Sequence, residues 1–165
     1  MNQGYQALIN HFTANDWNFE RSDEDQVLQA GYTGENAQFR CAISVSEDDD
    51  VCQCFTVLPS VVPEDKRLLI AEVCIRASYG MKIGSFEFDM DDGEIRFHAA
   101  APYPTGNLDD AVIRHLVSVS LHVPDRYYPA FMSVLFAGVS PNDAVFAVEQ
   151  KLQDKLNARV SWGAG

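Results

Sequence analysis

The first hydrophobic pattern along the chain has the spacing of a helix. Four apolar residues fall at positions i, i+3, i+4 and i+7, namely Tyr5, Leu8, Ile9 and Phe12. Residues with this spacing form one apolar stripe on a helix. The pattern therefore predicts a short amphipathic helix over residues 3–14, with the stripe facing the core.

The chain then changes to segments rich in β-branched and aromatic residues, separated by turn-forming residues. These segments predict four strands, at residues 17–21, 26–32, 37–46 and 51–58. The acidic tetrapeptide at residues 47–50 separates the last two strands. Pairing Ser46 with Val51 across it gives this hairpin one apolar face, as a sheet covered by helices requires.

A second helix is predicted over residues 63–79. Pro63 suits its first turn, and Gly80 suits its end. The segment RLLIAEVCIRA within it carries charge at only three positions, so the helix is apolar nearly all round. We expect such a helix to be enclosed within the domain or covered by another subunit.

The stretch FEFDMDDGEIRFH, at residues 86–98, predicts a β-hairpin. Asp92-Gly93 suits the two central positions of a two-residue turn. The resulting register pairs Phe88 with Phe97 and places all the apolar side chains on one face. A shift by one residue would move every side chain to the opposite face.

The last third of the chain predicts helices. The first begins at Asn107, which can cap it with Asp110 three residues later, and Pro124 breaks or kinks it. Residues 127–137 resume the helix. A last helix begins at Ser140-Pro141 and ends at about Leu156.

The order of elements predicts the fold class. Helix, strands, helix, hairpin and helices give an α+β fold with an antiparallel sheet and helices packed on it, because no alternating βαβ pattern is present. The length of 165 residues suits one domain. We expect that domain to span residues 1–156, with residues 157–165 as a frayed tail.

The formal net charge of −12 restricts the classes of partner. Phosphate backbones and anionic membranes repel such a surface, which disfavours nucleic-acid and membrane binding. A basic partner, or simple solubility, fits the charge better. No signal-peptide pattern and no apolar run of membrane-spanning length is present. We therefore expect a cytoplasmic protein with reduced cysteines.

The acidic stretches do not match a calcium motif. Placing Gly93 at position 6 of an EF-hand loop leaves Met90 and Phe88 where acids are needed. The tetrapeptide at residues 47–50 is interpreted as a charged hairpin tip that keeps the sheet soluble.

Three cysteines fall on one face of the predicted sheet. Cys52 and Cys54 alternate along a strand, and the register places Cys41 diagonal to Cys54. A C-x-C pair on a straight strand is a poor chelate, and buried free cysteine is common in cores. The alternative hypothesis is a small-molecule, metal or thiol-responsive sensor or enzyme centred on the Cys41, Cys52 and Cys54 face.

No catalytic motif is complete. Ser118 and His122 are four residues apart and Asp125 follows, but a helical triad of this kind lacks an oxyanion hole. The glycines match no phosphate-loop spacing, and the histidines form no zinc-binding pair. The sequence therefore predicts no catalytic residue, no cofactor and no metal.

Two segments together carry a family resemblance. AEVCIRASYGMKIGSFEFDMDDGEIRF and PDRYYPAFMSVLFAGVSPNDA resemble the YbjN family, over about residues 38–150. The resemblance implies a role as a sensory-transduction regulator and a fold similar to class I type III secretion chaperones. Those chaperones are small, acidic, often dimeric proteins that hold a partner polypeptide in extended form. The family supplies no catalytic residues.

These observations favour a non-enzymatic regulator or chaperone-like adaptor that binds a protein segment of unknown identity. The candidate contact residues lie on the second helix and are Leu68, Leu69, Val73 and Arg76. The hypothesis predicts an exposed apolar patch, or a homodimer that covers it.

Overall fold

The structure is a computed structural model that describes residues 3–46, 48, 50–103 and 107–162, with the side chains of residues 160–162 not described. The helices in these ranges are α1 (Gln3–Ala14), α2 (Arg67–Ser78), α3 (Asp110–Phe136) and α4 (Pro141–Trp162). The strands are β1 (Phe19–Ser22), β2 (Val27–Thr33), β3 (Gln38–Ser46), β4 (Val51–Val61), β5 (Ser85–Phe88) and β6 (Glu94–Pro102). A 3₁₀ turn at Glu64–Lys66 precedes α2.

The strands form one antiparallel sheet in the order β1-β2-β3-β4-β6-β5. Burial alternates along β3 and β4, so one face of the sheet lies in the core and the other does not. Helix α3 packs across β3, β4 and β6, with α1 beside it over β2 and β3, and α2 over β5. The predicted α+β fold, an antiparallel sheet with helices packed on it, is confirmed.

The predicted register of β3 and β4 is confirmed. Ser46 pairs with Val51, and Cys41 pairs with Thr56, which places it diagonal to Cys54. β4 extends to Val61, three residues past the predicted end. At the predicted tip of this hairpin, residues 47 and 49 lie outside the described part of the chain.

The predicted register of β5 and β6 is wrong by two residues. Phe86, rather than Phe88, pairs with Phe97. The apolar face survives because side chains alternate with a period of two, so an even shift leaves each residue on the same face.

The acidic turn explains this shift. Asp89 and Glu94 close a four-residue loop, since the Asp89 amide donates to the Glu94 carbonyl at 2.9 Å. The Asp89 carboxylate accepts a hydrogen bond of 2.8 Å from the Asp91 amide, and the Asp92 carboxylate accepts one of 2.8 Å from the Glu94 amide. Only Gly93 in this loop has positive φ, whereas the predicted two-residue turn requires two such residues.

The sequence predicts that Pro124 breaks or kinks the helix, and the predicted interruption before residue 127 is wrong. Helix α3 is continuous through Pro124 and Pro129. A proline lacks the amide that would bond the carbonyl four residues earlier, so these prolines leave the carbonyls of Ser120 and Asp125 without a helical donor. Side chains outside α3 donate hydrogen bonds to both carbonyls and so replace the bonds that the prolines remove.

Three helix boundaries differ from the prediction. Helix α3 is capped by Asp109, whose side chain accepts from the Ala111 amide at 2.7 Å, rather than by Asn107. Helix α2 begins at Arg67, after the 3₁₀ turn, rather than at Pro63. Helix α4 continues past Leu156 to Trp162, through part of the predicted tail. Residues 163–165 of that tail lie outside the described part of the chain.

Candidate protein-docking surface

Helix α2 presents an apolar stripe to solvent. Leu68, Ile75 and Tyr79 are 78%, 72% and 89% exposed. Their spacing of i, i+7 and i+11 places them on one side of the helix and its C-terminal cap. We call these three residues the α2 ridge. The opposite side of the helix is buried in the core through Ile70, Val73, Cys74 and Ala77.

The four predicted contact residues separate into different environments. Leu68 belongs to the α2 ridge, and Leu69 is partly exposed beside it. Val73 is fully buried, because it lies on the core side of the helix, and it is corrected to a core residue. Arg76 is partly exposed and is engaged within the protein.

One groove lies between α2 and α4 and has a volume of about 510 Å³. Ile75 and Tyr79 form its α2 wall, and Val145 and Phe146 line its α4 side. Phe146 is 63% exposed, so apolar surface continues from the ridge across the groove. Exposed apolar surface that spans two elements is typical of a protein-binding site.

Arg76 links the two helices that border this groove. Its Nε donates to Glu72 Oε1 at 2.7 Å, and its Nη1 donates to Asn142 Oδ1 at 3.0 Å. The first contact is an i, i+4 ion pair within α2, and the second reaches α4. The carboxylates of Glu72 and Glu149 also line the groove, so its charged groups include two acids and one paired base.

A second groove of about 480 Å³ lies between α2 and β5. It shares Ile75 and Tyr79 with the first groove, so the ridge separates the two. Phe88 and Met90 line its far side, and Met90 is exposed. β5, which borders this groove, is an edge strand of the sheet and has one unpaired side.

Hydrogen bonds fix both ends of α2 to the β5–β6 hairpin. At its start, Arg67 Nη1 donates to the Met90 carbonyl at 2.8 Å. At its end, the Phe86 amide donates to Ser78 Oγ at 2.8 Å. The ridge and the second groove therefore lie on a framework that is held together without a partner, which reduces the entropy cost of binding.

An aromatic cluster supports the second groove from inside. The Phe86 ring makes edge contacts with Phe97, Tyr127 and Phe131, at centroid distances of 5.2, 5.6 and 5.1 Å. Burial, together with the carboxylate of Glu149, raises the pKa of Tyr127 to about 12. Tyr127 thus stays protonated, and its hydroxyl donates to Glu149 at 3.3 Å.

The cysteine face has no feature of a reactive or metal-binding site. All four cysteines are buried free thiols. Burial raises the pKa of Cys52, Cys54 and Cys74 to about 12 and also raises that of Cys41. A thiol at that pKa carries almost no thiolate near neutral pH. Within the described ranges, no group of three or more His, Cys, Asp or Glu side chains could hold a metal ion.

The helical serine, histidine and aspartate do not form a triad. Ser118 Oγ and His122 Nδ1 are 3.4 Å apart, and His122 Nδ1 also lies 2.7 Å from the Ser118 carbonyl. Asp125 is buried and its two carboxylate oxygens accept the amides of Glu35 and Asn36, each at 2.8 Å. The acid therefore anchors a loop instead of orienting the histidine.

Sequence reasoning missed Ile75, Tyr79 and Phe146. The first two share the helical spacing of Leu68 and could have been found by assigning one face of α2 to the core. No local sequence pattern identifies Phe146 as part of this surface, because its position beside the ridge depends on how α4 packs on α2.

None of the helices in the described ranges has the length and apolar content that a membrane span needs.

A search of curated proteins finds no match to the chain. Among solved structures, the chain is similar to one described as "YbjN, a putative transcription regulator from E. coli". The TM-score is 0.58 and the sequence identity 12%, over 76% of this chain and 88% of that one.

The chain is also similar to "Structure of the HopA1-SchA Chaperone-Effector Complex". The TM-score there is 0.47 and the identity 13%, over 73% of this chain and 90% of that one. A family model described as "Putative bacterial sensory transduction regulator" matches residues 5–133. Because that match covers most of the 165 residues, the chain belongs to the YbjN family.

Proposed function

We propose that the protein is a non-enzymatic cytoplasmic regulator that acts as an adaptor, binding a segment of a partner protein on the α2 ridge and its two grooves. The exposure of Leu68, Ile75 and Tyr79 on one side of α2 is the observation that carries this proposal. The three large apolar side chains lie on one stripe with a groove on each side. A continuous apolar surface of this kind marks an interaction site, whereas single exposed apolar residues do not. Membership of a family described as regulators supports it.

Charge favours one kind of partner segment. The chain has a net charge of −12, and the carboxylates of Glu72 and Glu149 line the first groove. Arg76 and Glu72 form an ion pair, so the net negative charge of this groove comes from Glu149. The segment that fits best carries apolar side chains for the grooves and basic residues on either side of them. Steering by opposite charge would also raise the rate of association, and salt would weaken it.

Quantitative affinity capture from the native lysate tests the proposal. The wild-type chain is compared with the double variant Ile75→Asp, Tyr79→Ser and with the control Phe136→Ser. Phe136 is also highly exposed but lines neither groove. Because all three side chains are exposed, neither variant should lose much stability.

The proposal predicts a partner that both the wild type and Phe136→Ser retain and that the double variant loses. A partner retained equally by all three forms would place the binding site elsewhere and contradict the proposal. The same forms are examined by analytical ultracentrifugation. If the ridge serves only self-association, the wild type sediments as a dimer and the double variant as a monomer, with no other protein lost.

A further inference from the structure

A third cavity, of about 470 Å³, lies where the β2–β3 loop, the middle of α3 and the second half of α4 meet. It shares no lining residue with either groove of the docking surface. Nothing in the proposed binding of a protein segment uses it. A cavity of this size could hold a small molecule of moderate size.

Basic side chains converge on this cavity. Arg126, Lys151 and Lys155 line it, so one cavity holds three of the 12 lysine and arginine residues of a chain with net charge −12. Lys151 and Lys155 are four residues apart on α4 and share one side of that helix. No carboxylate in the described ranges forms an ion pair with any of the three. Most other arginines of the chain are already engaged, as Arg76 and Arg96 illustrate.

The two acids at the cavity neutralise these cations only in part. Asp125 is buried, and both of its oxygens accept loop amides at 2.8 Å. Gly34 approaches so closely that a Cβ there would lie 2.3 Å from Asp125 Oδ1. The loop is therefore fixed against α3 and forms a stable wall of the cavity. Glu35 is the other acid, so the lining holds three cations and two carboxylates and keeps a net positive charge.

The remaining lining adds aromatic and apolar surface beside the cations. The rings of Tyr32 and His122 lie 6.1 Å apart and are inclined at 58° to each other. Pro129, Val148 and Leu152 add apolar surface. Aromatic and apolar groups that flank a cationic set are the chemistry with which proteins hold a ring joined to phosphates.

We propose that this cavity binds a small molecule that carries a flat ring and at least two phosphoryl groups. Arg126, Lys151 and Lys155 contact the phosphoryl oxygens, and Tyr32 and His122 contact the ring. The site is separate from the α2 ridge, so either proposal can fail without the other.

Isothermal titration calorimetry at low salt tests this, with ADP, inorganic pyrophosphate and adenosine as the probes. ADP is expected to bind with Kd below about 1 mM, pyrophosphate more weakly, and adenosine weakest. Added salt should weaken ADP binding, since the phosphoryl contacts are electrostatic. Failure of both ADP and pyrophosphate to bind would overturn the proposal, and pyrophosphate binding as tightly as ADP would overturn the part assigned to the ring.

A pair of double variants locates the site. Lys151→Gln, Lys155→Gln removes two cations from the cavity, whereas the control Lys66→Gln, Lys82→Gln removes the same charge from residues that do not line it. ADP affinity should fall at least about tenfold in the first variant and stay within about twofold in the control. Equal weakening in both variants would mean non-specific attraction and would overturn the proposal.

Discussion

The hydroxyl of Thr56 donates a hydrogen bond of 2.7 Å to the carbonyl oxygen of Ser120, across the interface between β4 and α3. That carbonyl has no helical donor because Pro124 lies four residues later. The same relationship recurs one turn further along. Asn36 Nδ2 donates at 2.9 Å to the carbonyl of Asp125, which Pro129 leaves without its amide. Side chains from the sheet and its loop thus replace both hydrogen bonds that the prolines remove.

The first prediction concerns Thr56, which is fully buried. Thr56→Val keeps the shape of the side chain but leaves the Ser120 carbonyl without a donor, so the free energy of unfolding should fall by about 1–3 kcal/mol. Thr56→Ser keeps the hydroxyl and is the matched control, expected to lose less. Urea unfolding followed by circular dichroism measures both. Equal stability of the valine variant and the wild type would show that the carbonyl does not need this bond.

The second prediction concerns the contact between Gly34 and α3. A Cβ at residue 34 would meet the Asp125 carboxylate at 2.3 Å, and that carboxylate is held by two amides and cannot move freely. Gly34→Ala should therefore destabilise the protein by about 1–3 kcal/mol. Gly31→Ala is the control, because a Cβ there meets no atom within 4 Å. Thermal unfolding should separate the two, and matching melting temperatures would contradict the close contact.

The third prediction concerns pH and Glu87. Burial alone would raise the pKa of this carboxyl, but hydrogen bonds from Arg96 at 2.7 Å and His98 at 2.9 Å lower it below its usual value of 4.5. A lowered pKa in the folded state stabilises the protein above the unfolded pKa, and the effect is lost as pH falls through the folded pKa.

Glu87→Gln should accordingly be less stable than the wild type at pH 7, with a difference that shrinks as the pH falls below about 4.5. Denaturant unfolding at several pH values between neutral and acidic measures this. Glu20→Gln is a control on the edge strand β1, and its difference from the wild type should change less with pH. A difference for Glu87→Gln that stays constant down to acidic pH would contradict the assignment.

The fourth prediction concerns thiol chemistry. With pKa values of about 12, Cys52, Cys54 and Cys74 are protonated at pH 8, and all four thiols are buried. In the native protein, the rate of reaction with Ellman's reagent should therefore be limited by the unfolding that exposes the thiols. In denaturant, all four thiols should react at once. Rapid reaction of one thiol in the native protein would revive a sensor function for the cysteine face.

The sequence alone predicted the structure correctly where a local pattern of residues determines it. Alternation along β3 and β4 gave the correct faces, and pairing Ser46 with Val51 across the four-residue loop gave the correct register. Alternation did not determine the register of β5 and β6, since a shift by two residues keeps every side chain on the same face. The side-chain hydrogen bonds of Asp89 and Asp92 select the longer loop. The sequence did not predict that α3 is continuous, because its continuity depends on hydrogen-bond donors that are distant in sequence, such as the Thr56 hydroxyl.

The docking surface was predictable only in part. Composition showed that α2 is apolar nearly all round, and Leu68 was identified from it. The expectation that the domain encloses the helix is wrong, because Leu68 and Ile75 are exposed. Composition did not show which side faces the core, so buried Val73 was included and exposed Ile75 was not. The two grooves depend on the packing of α2 against α4 and β5, which no local pattern specifies.

Site-specific photo-cross-linking in the native cell shows whether the α2 ridge contacts a partner protein. A photoreactive phenylalanine analogue replaces Tyr79 on the α2 ridge in one form and Phe136 in the control form. We expect a cross-linked product at residue 79 that contains this 18.4 kDa chain and a different polypeptide, with no such product at residue 136. No product at residue 79, or a product made only of two copies of this chain, would contradict this expectation.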